Sequence, residues 1–98
     1  MEEIIVNAII LWTGYKSKSY PDRNDKLVID KYGLSDGIKL LKVIKEYDNY
    51  FYKSKAYQEA KDLKVMAEMS KKDFLEKYPT VNSKICDVLA WCYTFDYK

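Results

Sequence analysis

The sequence predicts an all-α protein, a single compact domain spanning residues 1–98 with five or six helices in an orthogonal or bundle-like arrangement around a buried N-terminal helix. Only three Gly and two Pro occur among the 98 residues, and a sheet would need a turn about every eight to twelve residues. Apolar residues recur at helical spacing in several segments. Residues that suit helix N-caps precede most of these segments.

The first segment, residues 4–12, reads Ile-Ile-Val-Asn-Ala-Ile-Ile-Leu-Trp and is apolar except for Asn7. Its periodicity does not separate a helix from a buried strand. Glu2 and Glu3 suit the first turn of a helix, and Gly14 suits its end. We therefore expect a helix that its neighbours enclose. The alternative is an α+β fold with residues 4–12 as a central strand.

Residues 15–24 lack an apolar period, which predicts a surface loop. A loop of this length in a small domain can present its side chains to a partner. The alternative is a connector whose tyrosines pack on the body of the protein. Asn24 or Asp25 is then expected to cap a short helix that ends at Gly33.

The longest helical pattern covers residues 35–57, with Ser35 as its predicted N-cap. One face is apolar and is expected to point inward: Leu40, Ile44, Tyr47 and Phe51. The opposite face is charged and is expected to point outward: Lys39, Lys42, Glu46 and Lys53. No Gly or Pro ends the pattern, so it leaves open whether the helix continues to Tyr57 or bends near Ser54.

Three further helices are predicted in the C-terminal part. The spacing of small residues indicates a helix over about residues 56–69 that packs closely on a neighbour. Ser70 and Asp73 resemble a capping box, which predicts a new short helix from Ser70 to near Pro79. Thr80 or Asn82 is expected to cap the last helix.

The composition excludes several common types of enzyme active site. The chain has no His, so Ser-His-Asp and Cys-His arrangements and His-ligated zinc sites are excluded within one chain. Cys86 and Cys92, six residues apart on one helix, are too far apart for a disulfide and are expected to be free and buried. We expect no catalytic residues, no metal and no cofactor. A weak enzyme hypothesis uses paired acids, either Asp22 with Asp25 or Glu59 with Asp62.

Localisation follows from two further observations. The chain begins Met-Glu-Glu, which is acidic where a signal peptide is positively charged, and no apolar run approaches the roughly 20 residues that span a bilayer. Free thiols fit a reducing compartment. We therefore expect a cytoplasmic protein with no membrane partner. Sixteen Lys against one Arg indicate an AT-rich gene, as in low-GC bacteria and their phages.

Ten tyrosines are the most distinctive feature of the composition. Tyrosine is enriched at protein interfaces, but it also fills the half-buried margins of small domains. The first hypothesis for function is a small non-enzymatic protein-binding or regulatory domain, with a homodimer as a further expectation. The candidate binding residues are Tyr15, Tyr20, Arg23, Tyr50, Tyr52, Lys53 and Tyr57.

The alternative hypothesis is a nucleic-acid-binding protein. One candidate surface combines lysines of residues 39–55 with exposed tyrosines as stacking platforms. A second candidate is a helix-turn-helix-like segment over residues 70–93. The chemistry of that segment is poor, because its second helix offers Lys84 alone as a base and no arginine for guanine.

Overall fold

The computed structural model describes residues 2–98, which form six helical segments. They are α1 (Glu2–Thr13), α2 (Asp25–Tyr32), α3 (Leu34–Phe51), α4 (Ala56–Glu59), α5 (Leu63–Lys77) and α6 (Ser83–Tyr97). Residues 2–98 contain no strand, so the all-α prediction is confirmed and residues 4–12 belong to a helix. The helices pack into one globule with a Cα radius of gyration of 13.2 Å.

The two N-terminal helices end where the sequence predicted. Gly14 follows α1 with φ 79°, and its N–H donates to Ile10 O. Asn24 caps α2 by accepting a hydrogen bond from the Lys26 N–H, and Gly33 ends α2 with φ 88°. Glycine adopts these left-handed conformations without a Cβ penalty.

Burial of α1 differs along its length. Its buried residues are Ala8, Ile9, Trp12 and Thr13, whereas Ile4 in the first turn is 46% exposed. Ile4 lines an open depression with Tyr32 and Leu40. The most enclosed helix is α6, which has seven buried residues and packs on α1, α3 and α5.

Helix α3 has the predicted faces and different ends. Leu40, Ile44 and Phe51 are buried and Tyr47 packs half-buried against the core, while the four charged residues assigned to the opposite face are exposed. The prediction of Ser35 as N-cap is wrong, because α3 begins at Leu34 and its N-cap position is Gly33, two residues earlier, with no side-chain cap. The helix ends at Phe51, so it breaks before Ser54.

The predicted boundary at Ser70 is also wrong. Ser70 lies in the middle of α5, fully buried, and its hydroxyl donates to Ala67 O instead of capping a helix. The true N-cap is Asp62, whose side chain accepts from the Val65 N–H. Consequently residues 56–69 are not one helix, since α4 ends at Glu59. Helix α5 ends before Pro79 and Asn82 caps α6, as predicted.

Candidate functional site

Most of the tyrosines pack against one another in a continuous row of aromatic rings. Neighbouring ring centroids in the row lie 4.3–6.4 Å apart, mostly edge-on or tilted, as favourable aromatic pairs do. The members are Tyr47, Tyr50, Phe51, Tyr52, Tyr57, Phe74, Tyr78, Tyr93 and Tyr97. We call them the aromatic row. Seven of the ten tyrosines therefore serve packing within the protein.

Tyr93 is the buried centre of the aromatic row and fixes the bend between α3 and α4. Its side chain is fully buried. Its hydroxyl donates to Ser54 O over 2.6 Å and accepts from the Tyr57 N–H over 3.1 Å. The Ser54 hydroxyl in turn donates to Asp73 over 2.6 Å. Tyr93 of α6 thus binds both backbone groups of the bend, which the local sequence leaves without a helical partner, and Asp73 of α5 holds the Ser54 side chain.

The aromatic row reaches the surface at Tyr57 and Tyr97. Their rings stack with centroids 4.3 Å apart and planes at 12°. The two residues are 39% and 38% exposed. We call this pair the Tyr57–Tyr97 surface. It presents aromatic area to solvent, and the Tyr97 ring is held by further contacts with the rings of Tyr52 and Tyr93.

Arg23 organises a second polar cluster beside the aromatic row. Its guanidinium binds both carboxylate oxygens of Asp48, at 3.0 and 3.2 Å, and donates to the Tyr52 hydroxyl over 2.8 Å. The Tyr52 hydroxyl donates to Asp96. Arg23 adopts φ 53°, a conformation that costs a non-glycine residue energy. The bidentate ion pair with Asp48 offsets that cost and anchors the 15–24 loop to α3 and α6.

The protonation states in this cluster are well defined. Burial alone would lower the pKa of Arg23, but the hydrogen bonds and charge of Asp48 outweigh burial and raise it. Burial and the hydrogen bond to Asp96 raise the pKa of Tyr52 well above its usual range. Arg23 therefore stays cationic and the Tyr52 hydroxyl keeps its proton at neutral pH, so both act as fixed hydrogen-bond donors.

The seven predicted site residues fall into separate places. Arg23 and Tyr52 are in direct contact at the ends of α3 and α6. Tyr57 is linked to Tyr52 through the Tyr97 ring. Tyr50 lies half-buried in the aromatic row beneath the ammonium groups of Lys53 and Lys77, at 5.3 and 5.7 Å from its ring centroid.

The two tyrosines of the loop lie elsewhere. Tyr15 packs edge-on against Trp91, with centroids 5.5 Å apart. Tyr20 is 50% exposed and takes no part in the aromatic row.

Several residues of this region were not predicted from the sequence. Tyr97, Asp48 and Asp96 complete the stacked pair and the Arg23 cluster. The sequence contained one indication that Tyr97 belongs to this region. Tyr93 and Tyr97 are four residues apart and so share a face of α6. Nothing local links Asp48 to Arg23, which is 25 residues away in the chain.

The structure alters both surfaces that were considered for nucleic-acid binding. Lys45 is paired with Asp25 over 2.6 Å, and the Tyr50 ring is already covered by two lysines. The short helix expected at Ser70 does not exist as a separate element, because Ser70 is internal to the 15-residue helix α5. The 70–93 segment therefore lacks the short first helix on which the helix-turn-helix hypothesis rested.

The cysteines are free and buried, as predicted. Burial raises the pKa of Cys92 to about 12 and also raises that of Cys86. Both thiols are therefore protonated at neutral pH, and a thiol is a far weaker nucleophile than a thiolate. Across residues 2–98 no three acids or cysteines come together in a group that could hold a metal ion. Over the same residues, no helix combines the length and apolarity needed to cross a bilayer.

Comparison with protein-family models, with curated proteins and with solved structures finds no match to this chain.

Proposed function

We propose that this protein is a small non-enzymatic domain that binds another protein through the Tyr57–Tyr97 surface. The observation that carries the proposal is the stacked pair itself, two aromatic rings each more than a third exposed. Tyrosine is among the residues enriched at interface centres and at hot spots. Adjacent tyrosine rings exposed in this way suit a binding surface.

Rigidity supports the same proposal. Binding costs free energy when flexible side chains become ordered, and side chains that are already fixed reduce that cost. Tyr97 contacts Tyr52 and Tyr93 within the aromatic row, and the Tyr57 backbone N–H is bound by the Tyr93 hydroxyl. The pair is therefore ordered before a partner arrives.

The polar surroundings also suit an interface. The Arg23 cluster lies next to Tyr52, whose ring centroid is 6.1 Å from that of Tyr97. A typical interface has an apolar centre and a polar rim. Here Arg23 and Asp96 supply charges at such a rim, and their side chains are 28% and 39% exposed, respectively.

The non-enzymatic part of the proposal is supported by how the chain uses its titratable groups. Three of the four acids considered for catalysis are engaged in structural roles. Asp22 pairs with Lys18, Asp25 accepts from Lys45 and Trp12, and Asp62 caps α5. Combined with the protonated thiols and the lack of His, these contacts favour a binding role over acid–base or nucleophilic catalysis.

Affinity capture from the source organism tests the proposal. The bait proteins are the wild type, the double variant Tyr57→Ser with Tyr97→Ser, and the matched control Tyr20→Ser, which removes an exposed tyrosine outside the aromatic row. We expect the wild type and the control to capture the same protein, and the double variant to bind it about 30-fold more weakly, as for loss of a hot spot. Circular dichroism establishes that the double variant is folded. Equal capture by the folded double variant would refute the proposal.

A homodimer is the special case in which the partner is a second copy. Light scattering over a range of concentrations would then show twice the monomer mass of 11.6 kDa for the wild type. The folded double variant would show the monomer mass. A wild-type monomer at all concentrations would exclude this case and leave a different protein as the partner.

A further inference from the structure

We propose that Tyr57 and Tyr97 form an oxidative cross-linking site, at which a haem peroxidase and hydrogen peroxide join the two rings as dityrosine and so tie α4 to the end of α6. The rings stack with centroids 4.3 Å apart and planes at 12°. Both residues are exposed, at 39% and 38%. The inference goes beyond the proposed function, because the cross-link requires these two phenols and no protein partner.

The reaction balances with one molecule of hydrogen peroxide. Each phenol gives up one electron and its hydroxyl proton, which leaves a radical spread over the oxygen and the ring carbons next to the C–O carbon. The two radicals form one C–C bond between such carbons, one from each ring. The hydrogen on each bonded carbon then moves to the oxygen and restores both phenols. The peroxide accepts the two electrons and two protons and leaves as two molecules of water.

The stacked arrangement favours bond formation between these two rings. Near-parallel rings at this centroid distance are in van der Waals contact, so carbons of one ring lie beside carbons of the other. Holding two reactants in contact replaces an encounter between molecules by a step within one chain. Tyr57 lies on the four-residue helix α4 and Tyr97 is the last residue of α6. Because both side chains are open to solvent, their rings have room to turn as the bond forms.

Both hydroxyl groups can release their protons to water. The Tyr57 hydroxyl accepts a hydrogen bond from the Gln58 side-chain amide over 3.0 Å, which leaves its own proton unbound. The Tyr97 hydroxyl donates to no group within residues 2–98. By contrast, Tyr93 is fully buried and its hydroxyl donates to Ser54 O. A carbonyl accepts a hydrogen bond but does not take up the proton at neutral pH, so Tyr93 is protected from this oxidation.

The remaining tyrosines offer no comparable pair. Tyr20 is 50% exposed but contacts no other ring within residues 2–98, so its radical has no neighbour in the same chain. Tyr52 is half-buried, and its ring centroid lies 6.1 Å from that of Tyr97. A cluster of half-buried tyrosines has edge-on contacts, with planes at 75° and 86°, in which packing prevents the rings from turning: Tyr47, Tyr50 and Tyr78.

The cross-link joins two segments that α5 separates in the chain. Tyr57 follows the bend after α3, and Tyr97 ends α6, so the bond closes residues 57–97 into a covalent loop. Such a loop restricts the unfolded chain far more than the folded one, in which the two rings already touch. Oxidation at this site therefore stabilises the protein and holds the end of α6 against α4.

Treatment of the full chain, at high dilution, with a haem peroxidase and hydrogen peroxide tests this inference. We expect dityrosine fluorescence from a product that keeps the monomer mass of 11.6 kDa, less two hydrogen atoms. Proteolysis and mass spectrometry should yield a linked pair of peptides that contain Tyr57 and Tyr97. The purified cross-linked chain should unfold at a higher urea concentration than the untreated chain.

Two variants each remove one phenol and keep the ring, Tyr57→Phe and Tyr97→Phe. Both should lose the intramolecular product, and circular dichroism establishes that they are folded. Tyr20→Phe is the matched control, since it removes an exposed phenol that contacts no other ring, and it should give the product in wild-type yield. Because no partner takes part, the result is independent of the capture experiment that tests the proposed function.

Any of four results would overturn the inference. One is a folded wild type that yields no intramolecular dityrosine. Another is dityrosine that links other residues, such as Tyr47 with Tyr78, or that links two chains through Tyr20. The third is a product that persists at wild-type yield in Tyr57→Phe or Tyr97→Phe. The fourth is a cross-linked chain that unfolds at the same urea concentration as the untreated chain.

Discussion

Replacing Tyr93 by phenylalanine should lower the free energy of unfolding by about 2 kcal/mol, although the change removes one oxygen atom and keeps the ring. The Tyr93 hydroxyl bridges two backbone groups of the bend after α3. It donates to Ser54 O over 2.6 Å and accepts from the Tyr57 N–H over 3.1 Å. Phenylalanine fills the same space in the aromatic row, so the effect reports on the two hydrogen bonds.

The two bonds do not contribute equally. The bond to Ser54 O is buried, and a buried carbonyl left without a partner costs about 1–3 kcal/mol. The bond from Tyr57 is only partly buried, so water can replace the hydroxyl there and the loss stays near or below about 1 kcal/mol. Their sum is about 2 kcal/mol, which corresponds to a fall in Tm of about 10 °C for a domain of this size.

Urea denaturation followed by circular dichroism measures the difference. The matched control is Tyr97→Phe, a neighbouring tyrosine of the same row and helix whose hydroxyl makes no hydrogen bond within residues 2–98; we expect its free energy of unfolding to stay within about 0.5 kcal/mol of the wild type. If Tyr93→Phe behaves like this control, the Tyr93 hydroxyl does not hold the bend and the reasoning is refuted.

Two further perturbations test other contacts. Gly37→Ala gains about 1 kcal/mol in helix propensity, but its added Cβ would lie 2.9 Å from the Ile29 Cα, and overpacking costs about 1–3 kcal/mol. We therefore expect urea denaturation to show a net loss of about 1 kcal/mol in the free energy of unfolding. Ser35→Ala on the exposed side of the helix is the control, and a Gly37→Ala variant more stable than the wild type would contradict the close approach. Hydrogen bonds from Lys45 and Trp12 lower the pKa of Asp25 below its ordinary value of 3.8, so its stabilisation is present above that pH and is lost as the pH falls through the lower folded-state value. Asp25→Asn should therefore lose less stability than the wild type on acidification below about pH 4, as thermal melts would show, and identical acid dependence would contradict this assignment.

Local chemistry was enough to predict most helix ends. Two glycines end helices as predicted, and two asparagines cap the next ones: Gly14 and Gly33, and Asn24 and Asn82. The inward face of α3 followed from spacing alone, because burial of one side imposes the helical period on the apolar residues.

The errors arose where packing decided the outcome. A serine three residues before an acid matches a capping box, yet Ser70 is buried inside α5 and gives its hydroxyl to Ala67 O. Asp62 was the better N-cap, and the apolar or small residues that follow it at helical spacing could have shown this. The boundary depended on which residues face the core, and a short motif does not contain that information.

The candidate site was less predictable than the fold. Tyr52 and Tyr57 were identified from composition, but their neighbours Asp96 and Tyr97 come from the end of the chain, 44 and 40 residues later. Such contacts have no period and no local pattern. Only the packing of α6 against α3 and α5 brings them together.

The stacked tyrosines also determine when the Tyr57–Tyr97 surface can form during synthesis. Tyr57 and Tyr97 belong to segments separated by the whole of α5, and the bend that positions Tyr57 is held by Tyr93. During synthesis, Tyr57 emerges before the Tyr97 ring and the Tyr93 hydroxyl that complete this surface. The Tyr57–Tyr97 surface therefore forms only once residues 93–97 have left the ribosome and packed, and the binding that we propose for this surface has to wait for that step.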